Sequence, residues 1–273
     1  MDKIFKNVFH KMCASIFPKP TLTSLSDNQA YPNVCLQASN DHEYFKDFRR
    51  NQIYNEILEH TSEQQGREYL DIIKEDAEIF SKMDTFKEND KYGNPRVSHY
   101  PSIVTISPTT LRYIKVLTDL KALFGTMDNL DIVEVGAGYG GQCRIISSYL
   151  KPDTYCLVDI KPALMLAKKF LDQYTIYSSL IYKTMDELQE KKYDLFISNY
   201  AFTELPRSLQ DIYLEKSILC SRMGYITCNA ITPPKFRSYS KEELINIIPH
   251  SEIREEIPRT HPNNCIIVWG MSR

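Results

Sequence analysis

The run Asp131-Ile132-Val133-Glu134-Val135-Gly136-Ala137-Gly138-Tyr139-Gly140-Gly141-Gln142 decides how the rest of the chain is read. An apolar strand runs into a turn containing four glycines, and a helix opens behind it. The chain has 273 residues but only 9 glycines, so nearly half of its glycine stands in this one turn. Glycine is favoured where backbone must turn tightly or approach another group closely. Gly136, Gly138 and Gly141 fit G-x-G-x-x-G, the pattern of a nucleotide-binding strand-turn-helix. Asp159 closes the next apolar run, where a carboxylate can accept both hydroxyls of a ribose. A glycine turn followed by an acid at the end of the next strand points to an adenosine-type ligand.

Working outward, apolar runs of strand length lie at 130–135, 154–159, 178–183, 193–198, 223–229, 252–257 and 264–270. Helical patterns at 140–151, 161–173, 206–222 and 240–248 fall between them. Such alternation predicts an α/β fold with a parallel sheet covered on both faces. The last two strands have no helix between them, so they return antiparallel and the sheet is mixed at one edge. Upstream, 42–60 and 62–86 carry apolar residues at helical spacing, and Ser107-Pro108 reads as the N-cap and first residue of a helix to about 124. Pro18, Pro20 and Pro32 make 18–41 read as a linker. Within 1–20, Ile4, Phe5, Val8, Phe9, Met12, Ile16 and Phe17 form one apolar stripe. That stripe suits a helix docked on its own domain, on a second copy in a homodimer, or on an anionic membrane surface, with a protein face the commoner occupant. The expected division is 1–41 (amphipathic helix and linker), 42–125 (helical arm or lid) and 126–273 (ligand-binding domain).

Lys plus Arg total 33 and Asp plus Glu 35, a net charge of -2, so no overall basic excess marks a nucleic-acid binder. Seven cysteines without a C-x-x-C pair argue against a disulfide framework and a structural zinc site, and for a reducing, cytoplasmic compartment. No run has transmembrane length, and no His or acid spacing suggests a metal.

Two adenosine ligands compete. A nicotinamide or flavin dinucleotide would bring a pyrophosphate, which a carboxylate at Glu134 would repel. S-adenosylmethionine brings an ammonium and a sulfonium, which the same carboxylate favours. The methyl donor therefore leads, with an NAD-dependent oxidoreductase as the alternative. The segment 130–271 resembles the class I S-adenosylmethionine-dependent methyltransferases. More narrowly, the chain is similar to a bacterial family of sugar O-methyltransferases through Asp90-Lys-Tyr-Gly-Asn-Pro95, Ser107-Pro-Thr-Thr-Leu-Arg-Tyr113, Glu134 to Gln142, Ser198-Asn-Tyr-Ala-Phe-Thr-Glu-Leu205 and Gly224-Tyr-Ile-Thr-Cys-Asn229. The resemblance implies a Rossmann-like seven-stranded mixed sheet with the last strand antiparallel. It also implies S-adenosyl-L-methionine as cofactor and, as acceptor, a sugar or sugar-like hydroxyl of a surface polysaccharide precursor such as a nucleotide sugar, or another small polar or phosphate-linked group. It places Gly136, Ala137, Gly138, Tyr139 and Gly140 along the methionine and ribose, Asp159 on the ribose hydroxyls and Ile160 on the adenine. Thr184, Met185 and Asp186 would meet the adenine edge, and Asn199 and Tyr200 the transferred methyl. Arg112 would reach the methionine carboxylate.

A hydroxyl acceptor needs a general base. Glu204, just past the fourth strand, is the first candidate. The competing reading is an acid favoured by the dipole of the following helix. His261, in Arg259-Thr-His-Pro-Asn-Asn264, is the second, and His99 with Tyr100 the third. Tyr92 and Asn94 are expected to form a lid or acceptor wall with them. The segment Asn199-Tyr-Ala-Phe202 lacks the Asn-Pro-Pro-aromatic tetrad of nucleobase amino-methyltransferases, which counts against a nucleic-acid acceptor.

Overall fold

A computed structural model describes residues 29–101, 105–229 and 231–271. The sheet consists of β1 (Asp131–Val135), β2 (Thr154–Val158), β3 (Ser179–Lys183), β4 (Tyr193–Asn199), β5 (Ser221–Cys228), β6 (Glu252–Glu255) and β7 (Cys265–Trp269). Their order across the sheet is β3-β2-β1-β4-β5-β7-β6. The first five are parallel, and β7 runs antiparallel to both β5 and β6. This is the expected Rossmann-like mixed sheet, with the last strand inserted one place in from the edge.

The helices are α1 (Ala30–Asn40), α2 (His42–Asp47), α3 (Gln52–Ile57), α4 (Glu63–Glu75), α5 (Ala77–Phe80), α6 (Met83–Lys87), α7 (Pro108–Phe124), α8 (Gly141–Tyr149), α9 (Lys161–Leu171), α10 (Arg207–Tyr213) and α11 (Lys241–Ile247). Side-chain caps explain why the arm is broken into short pieces. Asp41 Oδ1 accepts from the N–H groups of Glu43 and Tyr44, and Asn51 Oδ1 from those of Ile53 and Tyr54. Each cap restarts the chain as a new helix, so 42–60 is not one helix. Ser62 and Gln65 form a reciprocal capping box at the start of α4. Ser107 holds the N-cap position of α7, yet its side chain does not cap it; its N–H donates to Asp90 Oδ2 at 2.6 Å instead.

The expected linker over 18–41 needs correction from residue 30 on. Ala30–Asn40 is helical, and Pro32 sits in its first turn, where a missing N–H costs nothing. Val34, Cys35 and Ala38 are buried, and α1 packs on α9. The region 206–222 likewise divides: α10 passes into a π-helical turn, Leu214–Ile218, and β5 begins at Ser221. Ser98–His99 and Thr105–Ile106 form a short antiparallel pair that the sequence did not suggest. Residues 1–20, where a membrane or subunit contact was expected, lie outside the described residues. Among the described residues no helix is long and apolar enough to cross a membrane.

Two cores sandwich the sheet. One joins the arm, α7, α8 and α9 to Ile132, Leu157 and Ile197. The other joins Val133, Val135 and Phe196 to α10 and α11. Strand alternation assigns neighbouring residues of β1 to opposite cores, as a parallel strand covered on both faces requires.

Candidate functional site

A cavity of about 640 Å³ opens over the carboxyl ends of the strands. Gly136, Asp159, Thr184, Tyr200 and Asn229, which line it, each follow directly on β1 to β5. The order reverses between β1 and β4, and ligands of open α/β sheets bind at that switch point. Gly136 has φ of 81°, and a Cβ there would lie 2.1 Å from the Ala201 Cβ, so only glycine fits the turn.

One end of the cavity collects Asp159, Ile160, Thr184, Met185, Asp186 and Tyr213. Asp159 accepts from the N–H of Gly138 at 2.8 Å and of Ile160 at 2.7 Å. Burial pushes its carboxyl up to about 6, against the pull of those two donors. The other end collects His60, Tyr69, Arg112, Asn199, Glu204 and His261. Arg112 is buried; its guanidinium donates to the Leu58 carbonyl at 3.2 Å and faces the rings of Tyr113 and Tyr200. Its Nε has no partner among the described residues, and no carboxylate there lies within ion-pair distance of it. The guanidinium is thus held by one carbonyl and two ring faces, with donor capacity left for a further acceptor. His60 is held below the usual histidine range by burial and by Arg112.

Glu204 projects into this end, and its Oε1 accepts from Asn229 Nδ2 at 2.6 Å. Burial pushes its carboxyl up, with Asn229 opposing. Its partner is thus the side chain directly after β5, not the N-terminus of α10. His261 Nδ1 accepts from the Asn263 N–H at 3.2 Å. A neutral imidazole accepting there carries its proton on Nε2 and presents a donor, not a base. Tyr200 holds φ of 66°, a strained region for tyrosine. Its hydroxyl donates to the buried Glu256 at 2.5 Å, and Glu256 also accepts from Thr260.

Ten of the expected cofactor contacts line the cavity: Gly136, Gly138, Asp159, Ile160, Thr184, Met185, Asp186, Asn199, Tyr200 and Arg112. Glu134, Ala137, Tyr139 and Gly140 do not. Glu134 is 3% exposed and stands in register with Leu157 and Ile197 inside the arm-side core, accepting from Tyr155 Oη at 2.8 Å. Ala137 is buried in the same core. Tyr139 turns into the arm, packed by Phe48, Phe170 and Arg49. A Cβ at Gly140, which has φ of 84°, would meet Leu171 of α9 at 2.9 Å, so that glycine serves helix packing. The expected acceptor wall is displaced altogether. Tyr92 packs on Phe45 and Tyr174, and Asn94 bonds Asp47. Tyr100 bonds the Glu63 carbonyl, and His99 lies in the short strand pair. Tyr31 of α1 and Leu58, His60, Gln65 and Tyr69 of the arm line the cavity instead. Among the described residues no group of three or more His, Cys, Asp or Glu is placed to hold a metal ion.

The environment of Glu134 has a measurable consequence. Burial pushes its carboxyl from about 4.5 up to about 8. Between those values the folded chain keeps a proton that the unfolded chain has lost, so stability from this group falls as pH rises through that window. Glu134→Gln is therefore expected to raise the thermal midpoint at pH 8 and leave it nearly unchanged at pH 5. An equal shift at both pH values would mean that the buried carboxylate is ionised.

No family model and no curated protein matches the chain. Several solved structures resemble it in fold. Thermoplasma acidophilum 1320 is 19% identical, with 58% of this chain and 87% of that one covered and a TM-score of 0.42. Magnesium protoporphyrin IX methyltransferase from Synechocystis PCC 6803, with bound SAM, is 15% identical, with 57% and 76% covered and a TM-score of 0.45. The pyocyanin biosynthetic protein PhzM is 12% identical, with 59% and 58% covered and a TM-score of 0.41.

Proposed function

We propose that the chain is an S-adenosylmethionine-dependent O-methyltransferase acting on a sugar or sugar-like hydroxyl of a surface polysaccharide precursor. The observation that carries the choice of cofactor is how the N-terminus of α8 is filled. A dinucleotide would place its pyrophosphate there. A Cβ at Gly141 would instead lie 2.6 Å from ring atoms of both Tyr113 and Tyr139, and neither Gly140 nor Gly141 lines the cavity. The cavity runs along the strand ends, with an acid for ribose hydroxyls at one end and a buried, under-satisfied guanidinium for a carboxylate at the other. S-adenosylmethionine has both groups at its two ends, and when bound it supplies an electrophilic methyl.

Asp159 would hold the ribose, Ile160 and Met185 the adenine, and Arg112 the methionine carboxylate. Glu204, fixed by Asn229, takes the proton of the acceptor hydroxyl. Its raised pKa makes it a stronger base than an ordinary carboxylate. His261 donates to the acceptor. Thr61, Gln65, Asn229, Thr260 and Asn264 offer neutral hydrogen-bonding groups beside the rings of Tyr69 and Tyr200, a lining suited to a polyhydroxylated ring.

The test of the cofactor is thermal shift: S-adenosylhomocysteine is expected to raise the midpoint and NAD to leave it unmoved. The reverse pattern would make the chain an oxidoreductase. Incubation with isotope-labelled methyl donor and a panel of nucleotide sugars, read by mass spectrometry, tests the acceptor; label on none of them removes the sugar from this reading.

A further inference from the structure

We infer that Tyr31, at the start of α1, is a ligand of the nucleoside end of the cofactor and that α1 is a wall of the cofactor site. The inference rests on the S-adenosylmethionine reading above. Tyr31 lines the same cavity as Gly138, Asp159 and Ile160 and is 4% exposed. Its ring lies 5.7 Å from that of Tyr54, so it bridges α1 to the arm.

The attachment of α1 is specific. It packs on α9, the helix that starts directly after Asp159 and Ile160. Lys169 of α9 donates to the carbonyl of Ala38 in the last turn of α1 at 2.8 Å, and to that of Asp41, which also accepts from the Phe45 N–H, at 2.9 Å. A cation at the C-terminal end of α1 satisfies an acceptor left over by the helix and complements its dipole. The same ammonium stands 4.8 Å from the Phe45 ring centroid. Through these contacts the element that bears Tyr31 is referenced to the element that follows the ribose-binding acid. A nucleoside held by Asp159 then has Tyr31 beside it. The phenol stays protonated, pushed up by burial, by the neighbouring Cys35 and Asp159 and by a hydrogen bond to Cys35, so its hydroxyl is engaged within α1 and its ring offers the nucleoside an apolar face.

Hydrogen exchange of the whole protein with and without S-adenosylhomocysteine tests this without any substitution. Slower exchange of the amides of 31–40 on binding is expected; unchanged exchange there, with binding shown by slower exchange around Gly136 to Gly141, overturns the inference. Titration calorimetry adds a second reading. Tyr31→Ala should weaken S-adenosylhomocysteine about tenfold and Tyr31→Phe less, whereas Tyr44→Ala should leave it within about twofold. Tyr44 is 53% exposed on the neighbouring α2 and serves as the control. Affinity of Tyr31→Ala within about twofold of the original chain, at a retained thermal midpoint, also overturns it. If the unaltered chain shows no binding at all, the cofactor reading fails and this inference falls with it; if the unaltered chain binds and α1 does not respond, only this inference fails.

Discussion

Glu204→Gln is expected to lower kcat by about 10²–10⁴-fold on whichever acceptor takes the methyl, with S-adenosylhomocysteine affinity unchanged. Glutamine keeps the shape and can still meet Asn229, but it cannot take a proton. The effect should therefore sit in the chemical step and not in binding. The pH profile gives an independent reading. Glu204 works only when ionised, and burial raises its pKa, so kcat should climb with pH along a limb displaced above the usual carboxylate range. That limb should vanish in Glu204→Gln. His261→Ala should cost less, because the imidazole presents a donor whose loss weakens positioning without removing the base. Full turnover in Glu204→Gln, with turnover abolished in His261→Ala, would reverse the two roles.

The sheet could be read from the sequence because parallel strands covered on both faces leave continuous apolar runs, as in 154–159 for Thr154–Val158. The strand-end residues could be read by the same logic. Once β1 and β2 are placed, Gly136 and Asp159 must stand over their carboxyl ends. Asn229 follows β5 in the same way and closes the Gly224 to Asn229 motif, yet the motif alone gives it no role. Tyr139 and Gly140 were misplaced because neighbours in a turn face different ways: Gly136 and Gly138 face the cavity, while Tyr139 enters the arm-side core. The share of the site held by α1 and the arm was hidden for a different reason. Tyr31, His60 and Tyr69 reach the cavity only through packing of α1 on α9 and α4 on α7, contacts between segments far apart in sequence. The turn-rich stretch around Asn94 and Tyr100 announced a loop, but composition does not say which surface a loop covers. Glu134 shows the limit most clearly. Its charge was the argument for a cationic ligand, but the carboxyl lies in the core beside Tyr155, pushed up to about 8. The choice of cofactor is now supported by the filled N-terminus of α8 and by Arg112.

Glu59→Ala is expected to destabilise the chain by about 3–5 kcal/mol, a fall in thermal midpoint on the order of 10 °C, because it leaves a buried guanidinium without its main counter-charge. Arg49 Nε donates to Glu59 Oε1 at 2.6 Å and its Nη2 to Glu59 Oε2 at 3.2 Å, a bidentate pair with side chains 0% and 2% exposed. The remaining Nη1 donates to the Asn89 carbonyl and to Asp90 Oδ1, both at 3.1 Å. Asp90 in turn accepts from Thr110 and from the N–H of Ser107, where α7 begins. The guanidinium also stands 4.9 Å from the ring centroid of Tyr139, inside the glycine turn. One cation therefore ties the arm, the start of α7 and the glycine turn together. Loss of Glu59 should consequently weaken S-adenosylhomocysteine as well as lower the midpoint. Replacing both partners by apolar residues of similar volume, Arg49→Met with Glu59→Leu, should restore most of the stability, since the penalty comes from the unpaired charge. If the double variant regains the midpoint but not the affinity, the Arg49–Tyr139 contact is what sets the turn for its ligand. A midpoint in Glu59→Ala within about 2 °C of the original would instead mean that Asp90 alone compensates the charge.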